Sequence, residues 1–233
     1  MNIYAGAEFL TPGAAETIDL ISRSFGLDER SLVLEIAYGT GEGACRLAER
    51  HGCSVLGIDM HPLAKYVARR AASRGVSDRV AFAIGDGGQL PARDGVFDAA
   101  ICIGGPSIPG TDRCLAAMRR ALRPGGTIAV SDWVWRATPV PPDAVVDGID
   151  QRLLTLDGYA DVIRAAGFEI VSAELFPQSA WDDYYAPIRK NLAAMRAADP
   201  DLPHSQVDDE LRIWDSGLGP DWWRYGVFVS RAV

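Results

Sequence analysis

Residues 32–48 change periodicity across one glycine-rich turn. Leu32-Val33-Leu34-Glu35-Ile36-Ala37 is a short, nearly continuous apolar run, the pattern of a strand covered on both faces. Tyr38-Gly39-Thr40-Gly41-Glu42-Gly43 follows, and Ala44, Leu47 and Ala48 then recur at helical spacing. A strand, a tight turn and a helix in that order begin a βαβ unit, which restricts the chain to the α/β class with a mainly parallel sheet. The pattern repeats. Strands are expected at 54–59, 79–84, 97–103 and 127–131, with helices at 62–74 and 114–122 and an entry helix at 17–25. Beyond Trp135, a proline-rich loop is expected at 137–143, a helix at 159–166 and a strand at 168–175. Helical, aromatic sequence then fills 179–216, with a break at 199–203, and a last strand is expected at 225–230.

A chain of 233 residues suits one such domain. Within it, 1–29 would form the entry helix and a candidate lid, 30–133 the core, and 134–233 the last strands with a helical cover at 179–216. Lys and Arg total 23 against 31 Asp and Glu, a net charge of −8, and no basic cluster stands out, which disfavours nucleic acid as a partner. No apolar run reaches the ~18–20 residues that span a bilayer, and no secretory leader is visible. The expectation is a cytoplasmic protein with no membrane partner. Cys45, Cys53, Cys102 and Cys114 form no C-x-x-C pair and stand at no zinc-ligand spacing from a histidine, so buried free thiols are expected and no metal.

The glycines at 39, 41 and 43 let the backbone turn tightly where the first strand meets its helix, the place where open α/β sheets bind nucleotides. Such a turn also occurs with no ligand at all. Asp59 ends the second strand, 24 residues after Glu35, where a carboxylate can accept hydrogen bonds from both hydroxyls of an adenosine ribose. It also suits an acid ahead of a helix start near Pro62. Asp86, in Gly85-Asp86-Gly87, stands either in a surface turn or where it can accept from an adenine amine.

Together, Glu35 to Gly43, Gly57-Ile58-Asp59-Met60, Gly85-Asp86-Gly87, Phe97-Asp98-Ala99-Ala100-Ile101 and Leu122-Arg123-Pro124-Gly125-Gly126 resemble the ordered motifs of class I S-adenosylmethionine methyltransferases. The resemblance covers residues ~30–133. It implies a Rossmann-like, doubly wound sheet of seven strands, the last antiparallel to the rest, and S-adenosyl-L-methionine as cofactor. The later segments Ser131-Asp132 with Trp135, 181–187 and 225–229 resemble a bacterial subgroup acting on small molecules. The family usually has glycine where this chain has Ala37, and the subgroup tends to have an acid near Gly104.

By that resemblance, Glu35, Ala37, Gly39 and Gly41 would hold the methionine half, Asp59 the ribose, Met60 the adenine face, and Asp86 with Gly87 the adenine edge. Cys102 and Ile103 would line the site at the end of the fourth strand. A small-molecule acceptor would meet Gly104, Gly105, Trp135, Trp181, Tyr184 and Tyr185, with Tyr4 and Phe9 as the lid. Those aromatics serve equally well as core residues. Methyl transfer from a sulfonium needs chiefly alignment and desolvation, so no catalytic residue is assigned, although His61 stands near Asp59. Two rivals stay open: non-methyl chemistry on the same cofactor, such as cyclisation, and a non-catalytic cofactor-binding protein.

Overall fold

The computed structural model describes residues 3–136, 153–217 and 221–233. Its centre is one seven-stranded sheet in the order β3-β2-β1-β4-β5-β7-β6. The first five strands are β1 (Leu32–Ile36), β2 (Ser54–Asp59), β3 (Val80–Ile84), β4 (Phe97–Ile103) and β5 (Leu122–Trp135), and all run parallel. β7 (Trp223–Ala232) lies antiparallel between β5 and β6 (Phe168–Leu175), as the resemblance implies. The described helices are α1 (Ala14–Ser24), α2 (Glu42–His51), α3 (Ala64–Ser73), α4 (Thr111–Ala121), α5 (Leu156–Ala165), α6 (Gln178–Ala198) and α7 (Gln206–Asp215). None of them is long and apolar enough to cross a membrane.

Alternation along the strands divides the core in two. Leu34, Ile36, Ala100, Cys102, Ile128 and Val130 point to the face covered by α4 and α5. Val33, Ala99, Ile101 and Ala129 point the other way, toward Ile18 and Ile21 of α1 and Ala44 and Leu47 of α2. Both faces are buried, so the central strands read as unbroken apolar runs. A third cluster, rich in tryptophan, lies where α6 and α7 close over the end of β7.

Element ends differ from the sequence expectation where distant pairing decides them. β5 is expected at 127–131 but spans 14 residues, because Leu122 pairs with Phe97 at one end and β7 accompanies β5 out to Trp135↔Trp223 at the other. The 179–216 region divides into α6 and α7 at the expected break, with Ser205 and Asp208 forming a capping box for α7. The loop expected at 137–143 lies outside the described residues.

Candidate functional site

The turn after β1 is shaped by three positive φ angles, at Ala37 (57°), Gly39 (51°) and Gly41 (71°). Among the described residues Ala37 is the only non-glycine with positive φ. An L-residue there costs about 1–2 kcal/mol relative to an ordinary conformation, which gives a physical reason for glycine at this position in similar chains. Its N–H donates to the Ile58 carbonyl at 2.8 Å, tying the turn to β2.

Beneath the turn, the Glu35 carboxyl crosses the start of α2. Oε2 accepts from the Ala44 N–H at 2.9 Å, and Oε1 lies where a Cβ on Gly43 would come within 2.3 Å. Gly43 is therefore required by the acid, not by its own φ. Burial pushes the Glu35 carboxyl up from 4.5 to about 8, with the nearby Asp59 charge adding to the effect and the Ala44 N–H opposing it. The group is largely neutral at pH 7.

Asp59 is 8% exposed at the end of β2. Oδ2 accepts from the Gly39 N–H and Oδ1 from the His61 N–H, both at 2.9 Å. Two backbone donors fix the carboxylate while leaving each oxygen a further lone pair.

A cleft of about 220 Å³ opens here, at the carboxyl ends of β1, β2 and β4. Of the residues expected to hold a cofactor, it brings together Glu35, Ala37, Gly39, Asp59, Met60 and Ile103. Gly41, Asp86, Gly87 and Cys102 are not on its wall. Gly41 lets α2 approach Val67 of α3, and Gly87 lies against Ile36, each so closely that a Cβ would come within 3 Å. Cys102 is fully buried among the core residues. Asp86 accepts from the Gly88 N–H and pairs with Arg113, both at 2.8 Å, and these two contacts hold its carboxyl below the usual range.

The residues expected on the acceptor side separate into two groups. Phe9 and Gly104 line the cleft. Trp181 and Tyr185 have no exposed surface and, with Trp135, form part of the tryptophan cluster, where Trp181 stacks on Trp214 at 4.9 Å. Tyr4 packs against the same cluster, and Gly105 is buried behind Ala37. Tyr184 lies between: its hydroxyl donates to the Leu10 carbonyl at 3.2 Å, and its side chain lines a second hollow beside Phe9 and Thr11.

Leu10, Thr11 and Ile108, which sequence reasoning does not assign to the site, also line the wall. Leu10 and Thr11 belong to a strap, residues 6–11, folded back over the turn. The strap is held by the Arg46–Glu8 ion pair at 2.6 Å, the Arg46 guanidinium 5.0 Å over the Phe9 ring, and a hydrogen bond from the Thr40 hydroxyl to the Glu8 carbonyl. A larger hollow of about 830 Å³, lined by Asp94, Arg119 and Val162, lies at the opposite, amino ends of β4 and β5. Ligands of open parallel sheets bind at the carboxyl ends, so the smaller cleft is the candidate.

Known proteins resemble this chain in sequence and fold. The family model described as a methyltransferase domain matches residues 33–126, from β1 to the turn within β5. The Escherichia coli protein YjhP, whose function is uncharacterized, is 30% identical over 87% of this chain and 84% of its own. Its crystal structure superposes with a TM-score of 0.84 at 26% identity, covering 99% of this chain and 98% of that one. The methyltransferase GfsG of Streptomyces halstedii is 34% identical over 60% of this chain, which spans about half (53%) of that protein. A S-adenosylmethionine-dependent methyltransferase of Geobacter sulfurreducens, crystallised with S-adenosyl-L-homocysteine, gives a TM-score of 0.82 at 26% identity, covering 99% of this chain and 96% of that one.

Proposed function

Because this chain belongs to the S-adenosylmethionine-dependent methyltransferases, we propose that the cleft at the carboxyl ends of β1, β2 and β4 is where it holds its cofactor and methylates a small molecule. The observation that carries this reading is the Asp59 carboxylate, fixed by Gly39 and His61 on the wall of the same cleft as the strained turn. The donor set fits an adenosyl ligand. Asp59 has lone pairs for two ribose hydroxyls, Met60 offers an exposed thioether to a base, and the turn brings bare backbone to the methionine end. The cleft, about 220 Å³, is bordered by Phe9 and Leu10 of the strap.

When bound, S-adenosylmethionine supplies a methyl group on a positively charged sulfur, with a neutral thioether as leaving group. The chain's own part is to bind, orient and dry. Asp59 would hold the ribose, Glu35 holds the start of α2 beneath the turn, and the half-buried Ile103 would exclude water from the site, with Leu10 and Ile108 exposed at its rim. Gly41, Gly87 and Cys102 shape the cleft from behind. Asp86 reaches an adenine amine only by sharing its carboxylate with Arg113.

The acceptor then lies against Phe9, Thr11, Gly104 and Ile108, while Trp135, Trp181 and Tyr185 stabilise the cover behind them. The net charge of −8 supports a small acceptor over nucleic acid, and four buried free thiols support a cytoplasmic setting. Calorimetry tests the site: Asp59→Ala should weaken S-adenosylhomocysteine binding by about 1.5–3 kcal/mol, roughly 10- to 150-fold. Unchanged affinity would reject the ribose assignment. The mass of the product formed from a turned-over acceptor separates methyl transfer from other chemistry on the same cofactor.

A further inference from the structure

Two features of the cleft meet at one point. Ala37 holds its methyl group in a left-handed conformation that glycine would adopt without strain. Across from it, in the segment following β4, Gly105 is buried without a side chain, and a Cβ built there would stand 2.9 Å from the Ala37 Cβ, 3.4 Å from Cys102 Sγ and 3.7 Å from Ile108 Cδ1. Gly105 has no positive φ to explain it, so its bareness is a matter of space. The space it leaves is the space the Ala37 methyl occupies.

The segment that carries Gly105 is pinned at neighbouring points. The Gly104 N–H donates to the Ser131 carbonyl at 2.9 Å and to its hydroxyl at 3.1 Å, and a Cβ on Gly104 would strike Thr11 Oγ1 at 2.3 Å. Ser107 donates to the buried Asp132 carboxylate from both its N–H (3.0 Å) and its hydroxyl (3.1 Å). A wall held in this way cannot retreat from an added methyl group. The turn after β1 is held equally firmly, by Ala37 N–H on Ile58 and Gly39 N–H on Asp59.

We infer that Ala37 and Gly105 act as one positioning unit, in which the gap between the cofactor turn and the acceptor wall has room for one methyl group, on either residue, but not for two, so that a second methyl displaces the turn. The inference rests on the cofactor reading of the cleft. It places the methyl on the cofactor side in this chain, and a chain with glycine at the first position has room for it on the acceptor side.

The test is a double-mutant cycle read by calorimetry with S-adenosylhomocysteine, alongside thermal unfolding of each variant. Gly105→Ala should lose at least thirtyfold in affinity, because the turn that meets the ligand is displaced. Ala37→Gly should bind within fivefold of the parent and melt higher. The swap, Ala37→Gly with Gly105→Ala, should return to within fivefold of the parent. A role confined to stability would move the melting temperatures and leave the affinity of folded protein unchanged. The inference is overturned if Gly105→Ala binds as the parent does, if the swap stays as weak as Gly105→Ala, or if Ala37→Gly alone loses more than fivefold. Should Gly105→Ala fail to fold, recovery of folding and binding in the swap carries the same information. Failure of the parent protein to bind would reject the cofactor reading instead.

Discussion

Glu35 illustrates how much one side chain's surroundings change what it does. A carboxyl raised from 4.5 to about 8 in the folded state binds its proton more tightly there than in the unfolded chain. Its contribution to stability is therefore fully present below pH 4.5 and is lost as pH rises through about 8. Glu35→Gln keeps an oxygen for the Ala44 N–H and carries no charge, so the melting temperature of the variant should fall less than the parent's over that window. Equal slopes in paired pH scans would remove Glu35 as the cause. At this scale the sequence was informative for acids that end strands: Glu35 and Asp59 stand where their strand positions put them. It gave no sign of the ion pair that Asp86 makes, because Arg113 comes from a helix 27 residues further along.

The elements around the cleft were legible where periodicity governs them. Both faces of β1 and β4 are buried, and their apolar runs say so directly. Phe9 of the strap was expected at the cleft, but its neighbours Leu10 and Thr11 and the burial of the aromatic stripe of α6 were not legible, for different reasons. Leu10 and Thr11 reach the cleft only because residues 6–11 fold back, fastened by Arg46 and Thr40, and no local pattern encodes such a contact. Trp181 and Tyr185 look the same in sequence whether they line a pocket or a core, since an aromatic ring with one polar atom serves both. Their burial settles where they are and makes a prediction. Trp181→Ala opens a hole among Trp133, Trp214 and Trp223 and should destabilise the protein by about 3–5 kcal/mol. The folded fraction should still bind S-adenosylhomocysteine with the parent's affinity. A matched loss in calorimetry would instead bring the tryptophan cluster into the binding site.

For the molecule as a whole, ligand and fold should be linked, because the cleft draws on β1, β2, β4 and the strap at once. At a concentration about 100 times its Kd, S-adenosylhomocysteine should add about 2.7 kcal/mol of stability, which raises the melting temperature of a chain this size by about 5–10 °C. A scan unmoved by saturating ligand would show binding that is absent or indifferent to folding. The place of β7 between β5 and β6 has a further consequence, for the order of events on the ribosome. Among the described residues β6 pairs only with β7, and β7 is made 48 residues after β6 has ended, counting from Leu175 to Trp223. While the chain grows, the first five strands can assemble with their helices as they emerge, but Phe168–Leu175 must wait with both edges open. Those eight residues carry Glu169 and Glu174 among Ile170, Val171 and Leu175, and the two charges interrupt what would otherwise be a mostly apolar strand left unpaired until synthesis is nearly done.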